Sequence, residues 1–193
     1  MKNELKGENM KSNFCAFVFF SSFLFFGSSY SDFTESTRVE AVQEQQLDDS
    51  QIINIMMTVD KGELSAVQEA TKRKLPASID LYAKYLIQQH QQNLEELSLL
   101  AKQLNMQPKV SVISTSMVAS GQNEIKALNE LQGNAFDKAF IDSIVKGHKE
   151  GLELIDTKLL PQTKNPQLKA FVEKFRSMVL EHLEKGIKIQ KTL

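Results

Sequence analysis

SIDLYAKYLIQQHQQNLEELSLLA, residues 78–101, carries apolar side chains at Ile79, Ala83, Leu86, Leu94, Leu97 and Ala101. Steps of three and four residues place them on one face of a helix. His90 occupies the middle of that stripe, with Asn93 one turn further on. The stretch predicts a long amphipathic helix, to about Leu104, that directs an imidazole at a core. Pro76 breaks the chain before it, Ser78 can cap it, and Asp80 favours its first turn.

Three further stripes of the same kind flank this one. Upstream, about Asp49 to Leu75, Ile52, Met56, Val59, Glu63, Ala66 and Ala70 share a face. Gly62 inside that helix hints at close packing. Downstream, about Asn134 to Leu160, the stripe is Asp137, Ile141, Ile144, His148, Leu152, Ile155 and Leu159, with Asn134 as cap. After Pro161 and Asn165-Pro166, the last helix runs to about Lys191 with Phe171, Phe175, Met178, His182, Lys185 and Ile189 on one side. Pro166 suits a first helical position. Between helices two and three lies a long connection, Asn105 to Asn134, with a short amphipathic helix expected over Asn123 to Leu131 and a strand-like Val110-Ser111-Val112-Ile113 run before it. The fold class is all-α: a four-helix bundle with a long crossover carrying a short extra helix.

The chain has 193 residues, enough for one domain with a real core. With 23 basic and 24 acidic residues it is nearly neutral, and no basic stretch tracks a phosphate backbone, which argues against nucleic acid as a partner. The apolar run Phe14 to Phe26 holds seven phenylalanines, follows Lys11 and precedes Gly27-Ser28-Ser29-Tyr30-Ser31. It is too short to span a bilayer and reads as a signal peptide over residues 1–31, cut after Ser31. An uncleaved anchor is the alternative, and Met10 is an alternative start. Residues 32–48 read as a flexible lead-in, and residues 49–193 as the bundle domain. Cys15, the single cysteine, lies inside the signal, so the mature chain would lack thiol and disulfide chemistry and a transmembrane helix. The expected location is the periplasm or the exterior.

Glu63, His90, His148 and His182 therefore come one from each long helix. Glu63 lies 13 residues before Pro76 and His90 lies 14 after it, so both stand about 20 Å from one turn. His148 is 13 residues before Pro161 and His182 is 16 after Pro166, a mismatch of about 4–5 Å. The long crossover provides no ruler between the two pairs. If all four meet, three imidazoles and a carboxylate suit a single transition-metal ion such as Zn, Fe, Mn or Cu. Four protein ligands leave no open position, which favours binding over catalysis. Affinity should then fall as pH drops through about 6.5, where imidazoles protonate. Two alternatives stay open: an envelope interaction module with a buried Glu/His cluster that only sets helix register, and a small-molecule binder with a pocket between helices. Glu95, Glu96, Glu150 and Glu153 read as solvated faces. No phosphate loop or nucleophile elbow is present.

Gly62-Glu63-Leu64, Ala83 through His90, Asn93, Leu97, Gly133, Phe136-Asp137, Phe140, His148, Leu168-Lys169-Ala170-Phe171 and Glu181-His182-Leu183 together resemble the bacterial exported ferritin-like family catalogued as domain of unknown function 4142. The likeness covers about Ser50 to Leu193. It implies a ferritin-like four-helix bundle with a long crossover, and helix pairs able to bring their polar residues together. It implies no activity. Where the family usually has an acidic residue before the second-helix histidine, this chain has Gln89, which leaves carboxylate support of that imidazole open. Di-iron ferritin-like sites need a Glu three residues before a His on two helices. Ile87 and Val179 stand there instead, so di-iron oxidase chemistry and ferritin-type storage are not expected.

Overall fold

The computed structural model describes residues 46–193; the expected signal peptide and most of the lead-in lie outside the described residues. All regular structure in this range is helical: α1 Asp49–Thr71, α2 Ala77–Gln103, α3 Val112–Asn129, α4 Gly133–Leu154, a π-helical turn Ile155–Leu159, α5 Leu160–Gln162 and α6 Pro166–Gln190. The molecule is an all-α bundle. α1 packs along α2 and α4 along α6, as short turns dictate for consecutive helices. The two hairpins dock largely through α2 on α6, and α3 packs on α1 and also touches α4. No helix among the described residues is long and apolar enough to cross a membrane.

The ends of the helices are fixed by local chemistry. Asp48 accepts from the backbone N–H of Gln51 at 2.8 Å while Gln51 Oε1 accepts from Asp48 N–H at 3.0 Å, a reciprocal cap. Leu47 just before it is 2 % exposed and shares an apolar cluster with Ile52. This is the staple that accompanies such a cap, so the last residues of the expected lead-in are packed. Asn165 Oδ1 accepts from Gln167 and Leu168 N–H at 2.9 and 3.0 Å to start α6. α2 begins behind Pro76 with no side-chain cap, so Ser78 does not serve as one. Gly133 opens α4 with φ +54°, a conformation that glycine adopts freely, and Asn134 lies inside the helix.

The crossover differs most from expectation. Val110 to Ile113 forms no strand: Ser111 accepts from Ser114 N–H at 3.1 Å, and a helix of 18 residues begins at Val112. The hydroxyls that made the stretch look like loop are the cap. Only Ser114 and Leu128 of α3 are buried. Arg73 ties its end down, donating to Leu131 O at 2.8 Å and Asn129 Oδ1 at 2.7 Å, with its guanidinium 4.1 Å over the Phe136 ring.

The apolar core falls into two clusters. One gathers Leu47, Ile52, Ile53, Met56, Leu97, Leu159, Phe175 and Val179, the other Val67, Ile79, Leu86, Phe136, Phe140, Ile144 and Leu183. Between them runs a polar layer in which Asp60, His90, Asn93, His148 and His182 are buried.

Candidate metal centre

Each long helix crosses this layer once, so residues remote in sequence meet at one height. His90, His148 and His182 are 1 %, 3 % and 0 % exposed, and each offers a ring nitrogen within 4.8 Å of the other two. Ring centroids stand 5.0 Å apart for His90 and His182, 5.3 Å for His148 and His182, and 6.1 Å for His90 and His148. The crossover thus brings the two helix pairs into register. Glu63 lies at the edge of the group, with Oε1 3.8 Å from Nδ1 of His148. It lines the same small cavity as His90 and His148, together with Val59, Gly147 and Gly151.

The outer hydrogen bonds settle which nitrogens face inward. His148 Nδ1–H donates to the Ile144 carbonyl at 2.8 Å, which leaves its Nε2 as a lone pair. Nδ1 of His182 lies 3.3 Å from it, so Nε2 of His148 and Nδ1 of His182 are the facing atoms of the two rings. The Nε2 atoms of both His182 and His90 are buried with no hydrogen-bond partner. On its other side His90 Nδ1–H donates to Asp60 Oδ1 at 2.9 Å, and Asn93 donates to Asp60 Oδ2 at 2.7 Å.

Asp60 was not legible as a functional residue. It lies three residues before Glu63, the spacing of neighbours on one helix face, and that was the available signal. Its carboxylate supports the second-helix imidazole that Gln89 leaves without an adjacent acid. Glu150, expected in solvent, has a side chain only 18 % exposed and a buried Oε2 without a partner. Glu124 on α3 was also missed.

Burial dominates the electrostatics. It pushes the Asp60 carboxyl above the usual range, against the pull of His90 and Asn93. It holds His148 below its ordinary value, and His182, beside two other imidazoles, down to about 2. Burial thus disfavours the protonated form of both rings, and the neutral form is the one that ligates. His182 is further fixed by Tyr82, whose hydroxyl donates to its backbone carbonyl at 2.6 Å, and by the Tyr85 ring edge-on at 5.4 Å.

The donor set fits an ion. Nitrogens bound tetrahedrally at about 2.0–2.1 Å stand about 3.3 Å apart, the spacing already present between His148 and His182. The buried Nε2 atoms of His90 and His182 have no partner among the protein's own groups, so the fold itself does not compensate their desolvation. The cavity admits a water-sized body, far short of the roughly 300 Å³ of organic-ligand sites, which disfavours the small-molecule reading.

No curated protein and no solved structure gives a significant match to the chain. A family model described as "Domain of unknown function (DUF4142)" matches residues 34–189. With its buried polar layer carried by most of that span, the chain belongs to this family of unknown function.

Proposed function

We propose that this is an exported helical-bundle protein that binds one transition-metal ion through His90, His148 and His182, with Glu63 as the fourth group, and that it serves metal handling or stress protection in the bacterial envelope. The observation that carries the reading is the convergence of three buried imidazole nitrogens within 4.8 Å, two of the rings each having an unpartnered Nε2. Glu63 stands beside the three-imidazole group, with Oε1 3.8 Å from Nδ1 of His148, the nitrogen bonded to Ile144, and with a buried Oε2 that has no partner. It supplies either a ligand or a base next to a three-His ion and its water. Export rests on the apolar run and small residues before Asp32.

The rival reading, a buried register-setting cluster in an envelope interaction module, has the Asp60–His90–Asn93 network in its favour. It provides no partner for Nε2 of His90 or His182. Metal content and melting temperature of the untagged chain, with and without chelator, separate the two. Stoichiometric metal that is lost in His148→Ala, and a melting temperature lowered by chelator, are the expected results. A metal-free protein indifferent to added Zn(II), Co(II) and chelator overturns the proposal.

A further inference from the structure

We propose that the ion held by His90, His148 and His182 keeps one coordination position open to the cavity beside Glu63, and that this position takes a small uncharged ligand, water or a diatomic molecule, in preference to an anion. This rests on the metal-binding reading above and places Glu63 next to the ion rather than on it.

The three imidazoles come together without Glu63. Their ring nitrogens lie within 4.8 Å of one another. Glu63 Oε1 instead stands 3.8 Å from Nδ1 of His148, the nitrogen that donates to Ile144 O. The two nitrogens of a ring point apart, and it is Nε2 of His148 that faces His182. Three nitrogens leave a tetrahedral ion one corner for an outside ligand. A cavity borders this group: His90 and His148 line it, and so does Glu63, whose buried Oε2 has no partner. A water in the cavity carries the proton that this oxygen lacks.

The cavity limits what else can bind. Its volume is about 20 Å³, against the roughly 10–15 Å³ that one water needs, so one or two heavy atoms fit. Phe175, Val179 and two residues of the π-helical turn, Ile155 and Leu159, give it apolar walls. Such turns recur at functional sites. Gly151 adds room: a Cβ there would meet Val179 Cγ1 at 3.7 Å, an ordinary contact, and would take up cavity space.

Charge selects among ligands of that size. Asp60 accepts from His90 on one oxygen and from Asn93 on the other, as an ionised carboxylate does. With Glu63 it sets two negative charges beside a divalent ion and three neutral rings. An uncharged fourth ligand keeps the sum at zero. An anion would leave a net negative charge among apolar walls, which burial opposes.

Cu(II), the tightest binder of the divalent first-row ions at such sites, provides the probe when loaded into the metal-free full chain. After reduction to Cu(I), carbon monoxide should bind to the wild type, seen as an infrared carbon–oxygen stretch that shifts with carbon-13. Gly151→Ala should weaken that binding about tenfold or more. Azide, followed by charge-transfer absorption of the Cu(II) form, should bind Glu63→Gln about tenfold or more tightly than wild type. Carbon monoxide that fails on copper-loaded wild type overturns the open position and leaves the metal site standing; if it then binds Glu63→Ala, Glu63 is the fourth ligand. Undiminished binding in copper-loaded Gly151→Ala overturns the placement in this cavity. Equal azide affinity in wild type and Glu63→Gln overturns the charge selection. A wild-type chain that holds no copper removes the metal site and the open position together.

Discussion

Asp60 and His90 meet at 2.9 Å with both side chains sealed from solvent, and this pair orients the one imidazole that the first hairpin contributes to the cluster. A carboxylate behind a ligating imidazole fixes its tautomer and raises its basicity. Asp60→Asn keeps the shape and removes the charge. Affinity for Zn(II), measured by competition with a chromophoric chelator, should fall about 10- to 100-fold. Asp60→Leu should in addition destabilise the fold by about 3 kcal/mol, because His90 Nδ1–H and Asn93 lose their acceptor. Wild-type affinity in Asp60→Asn would show that the carboxylate does not tune this ring.

Acid should weaken the metal-free protein through the later hairpin. Burial depresses His148 and His182 in the folded state. Below the unfolded value, about 6.5, the unfolded chain takes up protons that the core refuses. Stability is thus undiminished above that pH and declines as pH falls toward the folded values, by at most about 1.4 kcal/mol per unit for each imidazole. The urea midpoint should be lower at pH 5.5 than at 7.5.

Glu124 works in the opposite direction. Its carboxyl is raised to about 7 in the fold, so the folded state holds the proton more tightly, and the fold gains stability as pH drops from 7 toward the ordinary carboxylate value. Glu124→Gln removes that gain. The difference in midpoint between pH 7.5 and 5.5 should therefore be larger in the variant than in wild type. An unchanged difference would place Glu124 in solvent.

Two helical glycines should respond to alanine with opposite signs. A Cβ at Gly62 meets nothing within 4 Å, so the close packing expected there is absent. Gly62→Ala should raise stability by up to about 1 kcal/mol through helix propensity alone. At Gly186 a Cβ would come within 3.0 Å of the Tyr82 hydroxyl and 3.1 Å of Val145 Cγ2. The hydroxyl is held by the His182 carbonyl and cannot retreat freely. Gly186→Ala should lower stability by about 1–3 kcal/mol, and thermal melts of the two variants should bracket wild type.

Arg73 joins the end of α1 to the far end of the crossover through two hydrogen bonds and the Phe136 ring. Arg73→Ala should cost about 1–2 kcal/mol. Amide exchange should accelerate mainly in α3, where few side chains anchor the backbone. Acceleration spread evenly over α2 and α6 would contradict this.

The four long helices were legible because three- and four-residue steps persist through each, and the histidines stood out as polar members of apolar stripes. What the stripes lack is height across the crossover. Only the packing of α6 against both α2 and α4 shows that His90 meets His148 and His182. Asp60 escaped notice because Val59 beside it fitted the apolar spacing, while the true buried face takes in Ile53, Met57 and Asp60 as well. α3 was read short because serine and threonine compete with helix in isolation, and a capped start reverses that preference. Glu150 looked solvated because a charged residue on an outer stripe usually is. Here the Glu150 side chain is only 18 % exposed.

The cluster is also a joint. α1 and α2 bring Asp60, Glu63 and His90, while α4 and α6 bring His148 and His182. Neither hairpin owns three imidazoles, so whatever the cluster does exists only while the hairpins are docked. A backbone nick in the lightly held α3 would leave two fragments that must find each other to rebuild it, and any agent that pries them apart erases the site without touching one of its residues.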